Sequence, residues 1–276
     1  MSRAWCCMPL CLLLVSDRPA TPALAGPPNV VAKSTAEAPL VPLPTSAEME
    51  RLAGTNPVAF LEAALRRYDR EIKTLRYVLH KQEFINGRLY PAETIEVAYR
   101  ERPRAVLMKW VEGARLAEAV LWVEGENDGM MLARPQGSLA RLAVGKVVRR
   151  DPDGADARAT SRYSIKEAGP RNALERTLKS WKAAQERNIL TIRYRGIDKI
   201  KETGGRPCYV FEATFSQPQT EGTLHVTVYV DTETWLQTGS VLRGAQNRLL
   251  GAYFFRDVQV NPPLRDDQFR PSALER

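Results

Sequence analysis

The sequence has few of the residues that catalytic and metal sites usually require. It contains two histidines, His80 and His225, and four cysteines, three of which lie within the first 11 residues. Cys208 is therefore the one cysteine of the main part of the chain, and a single cysteine forms neither an intramolecular disulfide nor a zinc site. It lies in an apolar strand-like segment, which favours a buried structural thiol.

Motifs for catalysis are also missing. The sequence has no G-x-S-x-G elbow, no glycine-rich phosphate loop and no H-E-x-x-H helix. The acidic turn around Asp151 and Asp153 lacks the spacing of a calcium loop, and the neighbouring Asp266 and Asp267 are expected to point apart. We therefore predict a protein that is not an enzyme and needs no cofactor or metal. An unrecognised hydrolase with a histidine base is the alternative.

The charge is positive but dispersed. The chain has 40 Lys and Arg against 32 Asp and Glu, a formal net charge of +8. The arginines are scattered between apolar strand residues and no nucleic-acid motif accompanies them, so no nucleic-acid partner is predicted. An anionic lipid surface or an acidic ligand is compatible with this charge.

The N-terminus has the order of a secretory signal peptide. Arg3 precedes an apolar run from Ala4 to Val15, and the small-residue sequence from Ala23 to Ala25 follows. The run is too short for a transmembrane span. We predict a signal peptide over residues 1–25 with cleavage near Ala25, a proline-rich spacer over 26–44, and a periplasmic or secreted protein. A mis-assigned start or a disordered tail is the alternative.

From Thr45 onward the pattern predicts one α+β domain over residues 45–276. Thr45 and Glu48 have the spacing of a capping box, Asn56 and Pro57 begin a second amphipathic helix, and a third covers about 172–187. Segments with a period of two and short turns predict antiparallel pairing. They cover 77–85, 88–99, 104–111, 116–124, 130–133, 190–200, 206–215, 223–230, 236–243 and 249–258, and 149–170 is predicted as loop.

The apolar residues of these strands have two interpretations. They form a dry core between sheet and helices, or they line a hydrophobic cavity that the helices do not fill. We take the second as the hypothesis for a binding site. The candidate residues are Val106, Met108, Trp110, Trp122, Tyr209, Phe211, Leu224, Val226 and Val228.

Several segments resemble an exported bacterial family, domain of unknown function 1571. They are Tyr77 to Trp110, Val123-Glu124-Gly125, Arg206 to Val210, Val228 to Asp231 and Asp257 to Phe269, and the likeness spans about 60–270. The order helix, meander, helix, meander with a V-Y-V-D-x-x-T turn is also similar to the LolA/LolB-like superfamily of periplasmic lipoprotein carriers and related envelope sigma-factor regulators.

This resemblance implies a large curved antiparallel sheet, an unclosed β-barrel, with helices on its concave side around a hydrophobic cavity. It implies a non-enzymatic envelope protein that binds a lipid or an acylated protein. The alternative is an envelope protein-interaction or signalling module with a filled barrel. Two departures from the pattern are the lack of a lipid-modified cysteine and the segment Arg134 to Pro170, which has no counterpart.

Overall fold

The structure, a computed structural model, describes residues 41–275. The predicted signal peptide and most of the predicted spacer lie outside these residues and stay predictions. Within the described part, no helix has the length and apolar character that crossing a bilayer requires.

Two helices open the described part as their capping residues predict. Helix α1 (Ser46–Thr55) begins at Thr45, which forms a capping box with Glu48. Helix α2 (Pro57–Glu71) begins after Asn56, whose Oδ1 accepts a hydrogen bond from the backbone of Ala59 at 3.0 Å. Both predicted helices are confirmed.

The twelve strands of residues 41–275 belong to one sheet in which every pairing is antiparallel. Along the sheet the order is β7-β6-β5-β4-β3-β1-β12-β11-β10-β9-β8, with β2 paired to β1 beside this path. The strands are β1 (Thr74–Ile85), β2 (Arg88–Leu89), β3 (Glu93–Glu101), β4 (Arg104–Glu112), β5 (Ala117–Val123), β6 (Met131–Pro135), β7 (Val148–Arg150), β8 (Leu190–Lys199), β9 (Pro207–Phe215), β10 (His225–Asp231), β11 (Gln237–Arg243) and β12 (Leu249–Val260).

The sheet is curved and unclosed. Its edge strands β7 and β8 do not pair with each other. Met131 of β6 and Val226 of β10 line the same cavity although seven strand-to-strand steps separate them. A flat sheet with about 4.8 Å between strands would place them about 34 Å apart. The predicted fold, a curved antiparallel sheet with helices on one side, is confirmed.

Helices α2 and α5 (Pro170–Glu186) cover one part of the inner face of the sheet. Phe60 of α2 is fully buried, and its ring centroid lies 4.9 Å from that of Tyr209 and 5.0 Å from that of Phe211. Trp181 of α5 packs edge-on against Phe211 at 6.0 Å. Apolar burial of this kind, about 25 cal/mol per Å², is the main stabilising contribution.

The outer face of the sheet is also covered in part. Leu107 and Leu121 point to the opposite side of their strands from Val106 and Trp122, since neighbouring side chains alternate. The turns at Asp266–Phe269 and Pro271–Leu274 bury Phe269, Ala273 and Leu274 against this side.

The prediction of a loop with a turn over 149–170 is wrong in part, because the structure has the end of strand β7, helix α4 (Ala155–Arg158) and a 3₁₀ turn at Ile165–Glu167 there. Helix α3 (Ser138–Val144), just before this range, was also not predicted. These elements have three to seven residues, too few for a hydrophobic period to be recognised in a sequence. β7 forms because Arg150 pairs with Met131 of β6, a partner distant in the chain.

The V-Y-V-D-x-x-T motif forms a charged turn at the end of β10. Asp231 is almost fully buried, and its Oδ1 accepts hydrogen bonds from the backbone of Thr234 at 2.8 Å and from the Thr234 hydroxyl at 2.8 Å. Its Oδ2 accepts one from Arg206 Nε at 2.6 Å. Burial acts to raise the pKa of Asp231, but the bonds from Arg206 and Thr234 together outweigh it and hold the pKa below its ordinary value.

This turn predicts a pH dependence of stability. The pKa of Asp231 is lower in the folded state than in the unfolded state. The ionised Asp231 therefore stabilises the fold fully above the unfolded-state pKa of about 3.9, and this stabilisation is lost as the pH falls through the folded-state pKa. We expect Asp231→Asn to lower the free energy of unfolding at neutral pH by about 1.5–3 kcal/mol and to weaken its dependence on pH below about 4. Urea denaturation at several pH values measures both. Glu233→Gln, which alters an exposed partner of the same arginine, is the control, and equal effects of the two variants would contradict the assignment.

Candidate functional site

A cavity of about 950 Å³ lies against the inner face of the sheet. Its walls come from β1, β3 to β7 and β9 to β12, from helices α3 and α5, and from residues 151–169, called here the closing segment. Cavities of 300–1,000 Å³ are typical of small-molecule sites. The volume of this cavity lies near the upper end of that range.

The cavity lies at one end of the strands. In β10, Val226 lines the cavity, whereas Val228 and Val230, two and four residues further on the same face, are fully buried in the core under the helices. In β9, Phe215 lines the cavity and Phe211 lies under Phe60. The helices therefore cover one end of the inner face and leave the other end open.

The structure separates the predicted cavity residues into two groups. Met108, Trp110 and Val226 line the cavity. The others do not: Tyr209, Phe211 and Val228 are buried in the core beside α2 and α5, Val106 and Trp122 are buried in the neighbouring core cluster, and Leu224 is half-buried just before β10. The physical reason is depth along the strand, which a period of two does not reveal.

A cluster of buried charges forms part of the cavity wall. Lys81, Glu83 and Glu93 all line the cavity and are 8%, 2% and 4% exposed. Lys81 of β1 stands opposite Glu93 of β3 in the register, and Lys81 Nζ lies 2.9 Å from Glu83 Oε2 and 3.5 Å from Glu93 Oε2. Buried charges need partners of this kind, because removal from water is costly.

Glu93 has two further partners on the wall. Its Oε2 accepts a hydrogen bond from Trp110 Nε1 at 2.7 Å, and its Oε1 accepts one from Arg115 Nε at 2.8 Å. The Arg115 guanidinium also lies over the Tyr90 ring, 4.2 Å from the centroid. Both carboxylate oxygens of Glu93 are thus occupied.

Each carboxylate oxygen of Glu83 also has a partner. Its Oε1 accepts hydrogen bonds from the Tyr253 hydroxyl at 2.8 Å and from the backbone of Arg162 at 3.3 Å. Burial, with the nearby Glu83 carboxylate second, raises the pKa of Tyr253 well above its usual value, so this hydroxyl is a donor at physiological pH. Gly251 leaves room for the ring, because a Cβ there would stand 2.8 Å from Tyr253 Cε2.

The same cluster holds the closing segment against the sheet. Arg115 donates to the carbonyl of Thr160, Lys81 Nζ lies 3.5 Å from Ser161 Oγ, and the Arg162 guanidinium pairs with Glu221. Tyr163 packs on Tyr253 with ring centroids 5.5 Å apart. A second pocket of about 690 Å³ shares residues 161–164 with the cavity, so the segment separates two spaces.

The histidines and the cysteine have other surroundings. Neither histidine lines the cavity; His80 Nδ1 lies 3.1 Å from Thr94 Oγ1 and His225 Nδ1 lies 3.3 Å from Thr214 Oγ1. Cys208 is buried as predicted, 3.6 Å from Thr238 Oγ1, and burial raises the pKa of its thiol. Within residues 41–275 no group of three or more His, Cys, Asp or Glu side chains is placed to hold a metal ion.

Sequence reasoning missed the buried charges and the closing segment. A signal for the charges exists: Tyr77, Leu79, Lys81 and Glu83 alternate on one face of β1, and the first two are buried apolar residues. Charged residues that continue an apolar face indicate a paired internal cluster. The closing segment has no comparable periodic signal.

The fold and the site define a class of protein, an α+β protein whose unclosed antiparallel sheet and helices surround one large cavity. Within it, this chain belongs to the family described as protein of unknown function (DUF1571), whose model matches residues 72–274. The predicted family is confirmed. No curated protein sequence is detectably similar to the chain.

Several solved structures are distantly similar in fold. The MucA/MucB complex of Pseudomonas aeruginosa matches with a TM-score of 0.45 and 17% identity over 79% of this chain and 62% of that chain, so less than two thirds of that protein is spanned. The Mycobacterium tuberculosis lipoprotein LppX matches with a TM-score of 0.40 and 10% identity, over 76% and 98%. A LolA superfamily protein from Nitrosomonas europaea matches with a TM-score of 0.34 and 10% identity, over 77% and 98%.

The burial of this cluster predicts that breaking one of its ion pairs lowers the free energy of unfolding much more than breaking an ion pair at the surface. We expect Glu93→Leu to lower the free energy of unfolding by about 3–5 kcal/mol, because Lys81 and Arg115 then lose a buried partner. Glu62→Leu removes an exposed pair with Lys182 and is expected to cost less than about 1 kcal/mol. Urea denaturation measures the free energy of unfolding of both variants. Similar losses would contradict the expectation that the ion pairs of the cluster behave as buried pairs.

Proposed function

We propose that this chain is an exported, non-enzymatic binding protein of the cell envelope that holds a lipid, or the acyl chains of a lipoprotein, in the cavity. The observation that carries the proposal is the cavity of about 950 Å³, whose exposed wall surface is mostly apolar although charged and polar side chains also line it. The segment that resembles a signal peptide supports an envelope location.

The volume and the lining favour an apolar ligand. Water occupies about 30 Å³ per molecule, so the space corresponds to about 30 waters, many of them against apolar side chains that offer no hydrogen bond. An acyl chain that replaces them contributes about 0.8 kcal/mol for each buried methylene, or about 8 kcal/mol for about ten methylenes before ordering costs.

The buried charges support binding better than catalysis. Both oxygens of Glu83 and both oxygens of Glu93 already accept hydrogen bonds or ion pairs from wall residues. A general base needs a free lone pair within reach of a substrate proton. The cluster instead positions the closing segment over the ligand space, and neither histidine of the hydrolase alternative faces that space.

The interaction-module alternative requires a filled barrel. The space of about 950 Å³ between sheet, helix and closing segment favours the carrier proposal over a filled barrel. A protein partner is compatible with the proposal where that partner carries the acyl chain.

Filling the cavity is expected to reduce ligand binding. Val226→Trp places an indole in the cavity, and we expect it to weaken the binding of a fluorescent fatty acid by about tenfold or more, since a ligand then loses several buried methylenes. Thr227→Trp is the matched control, because the next residue of the same strand points to the opposite face. Fluorescence titration of the detergent-free protein measures both constants.

Mass spectrometry of lipids extracted from protein purified without detergent gives an independent result. A co-purifying lipid that Val226→Trp displaces and Thr227→Trp retains is expected. The proposal fails if the wild-type protein does not bind the fatty acid, or if the two substitutions weaken binding equally.

A further inference from the structure

Helix α3 exposes its apolar side chains to solvent. Leu139 is 81% exposed and Leu142 is 85% exposed. They are three residues apart, so they lie on one face of the helix. A short surface helix normally turns such residues toward the core.

The polar side of α3 holds this orientation. Arg141 Nη1 donates to Glu118 Oε1 at 2.7 Å and to the carbonyl of Pro135 at 3.2 Å. The backbone of Gly137, just before the helix, donates to the same Glu118 oxygen at 3.1 Å. The charged side of the helix is therefore bound to the body of the protein, and the leucine side is directed outward.

The exposed leucines adjoin the cavity. Val144 ends α3, is 52% exposed and lines the cavity, and Leu116, before β5, is 64% exposed and also lines it. The backbone of Gln136 donates to the Leu116 carbonyl at 2.9 Å, which brings the α3 end of the chain to this rim. Leu139, Leu142, Leu116 and Val144 form what we call the rim patch.

The segment that carries α3 has charge of one sign along the chain, whereas Glu118, two residues after Leu116, pairs with Arg134 and Arg141. Residues 129–150 contain no Asp or Glu and five basic residues, Arg134, Arg141, Lys146, Arg149 and Arg150. Lys146 is exposed, and Arg149 and Arg150 pair with carboxylates that are 88% and 79% exposed. Pairs at such exposed positions contribute little, so phosphate groups of a lipid surface can replace their carboxylates.

We propose that the rim patch docks onto an anionic lipid membrane, with Leu139 and Leu142 inserted among the acyl chains, so that lipid passes between the membrane and the cavity. Exposed leucines flanked by Lys and Arg are the composition of interfacial membrane-binding helices. This inference rests on the proposed lipid-binding function for the cargo, and its test separates the two.

The first measurement is co-sedimentation with vesicles, either of phosphatidylcholine alone or of equal parts phosphatidylcholine and phosphatidylglycerol. The wild-type protein is expected to bind the anionic vesicles more strongly, and added salt is expected to weaken binding. Leu139→Ser/Leu142→Ser is expected to reduce binding by about tenfold or more, since two apolar side chains no longer enter the lipid. Leu89→Ser/Ile197→Ser, at exposed apolar positions on β2 and β8, is the matched control and is expected to bind as the wild type does.

The second measurement is fatty-acid binding in solution without vesicles. The Leu139→Ser/Leu142→Ser protein is expected to retain it, because neither residue lines the cavity, but to acquire the fatty acid from anionic vesicles more slowly. If the fatty acid binds and the leucine variant binds vesicles as the wild type does, the docking inference is wrong and the cavity function stands. If no fatty acid binds, the cavity function fails whatever the vesicles show.

Sedimentation velocity provides one further outcome. The wild-type protein is expected to be in the same oligomeric state as the leucine variant. If the wild type self-associates, the substitutions abolish this association, and vesicles are not bound, the rim patch is an interface between copies of the chain and the membrane inference is overturned.

Discussion

The cavity depends on incomplete cover of a curved sheet. Helices α2 and α5 bury Phe211, Val228 and Val230 at one end of their strands but do not extend over the other end, where Val226 and Phe215 line the cavity. A curved sheet of twelve strands has more inner surface than two helices of 15 and 17 residues can cover. The remaining space must hold solvent or ligand, or be closed by another segment, and residues 151–169 close part of it.

The closing segment is attached by polar contacts from buried charges as well as by the apolar packing of Tyr163, Ile165 and Ala168. Lys81, Glu83 and Arg115 bind the backbone or side chains of residues 160–162, and the buried Glu93 holds Lys81 and Arg115 in place. Such pairs contribute less net stability than apolar packing, but breaking one is costly. They therefore specify one position for a segment that has little regular structure of its own.

Much of the architecture follows from local signals, whereas the site follows from them only in part. Helix caps at Thr45 and Asn56 and the period of two in the strands are short-range properties, so helices and strand pairing were predictable. Met108 and Val106 have the same period and face, yet the first lines the cavity and the second is fully buried. The difference between them is set by where the helices on the inner face of the sheet end, and this depends on residues distant in the sequence. The closing segment was missed because its elements are held by tertiary partners.

The internal charges and the exposed leucines are related features of the same site. Every oxygen of the buried carboxylates Glu83 and Glu93 already accepts a bond from a wall residue, so the inner cluster is suited to holding the wall in place. The rim has a different arrangement, with Arg141 turned toward the protein and the leucines toward solvent. Exposed leucines carry a cost in solubility, and the proposed contact with lipid accounts for that cost. Because two residues of the rim patch, Leu116 and Val144, also line the cavity, the proposed docking face adjoins the ligand space.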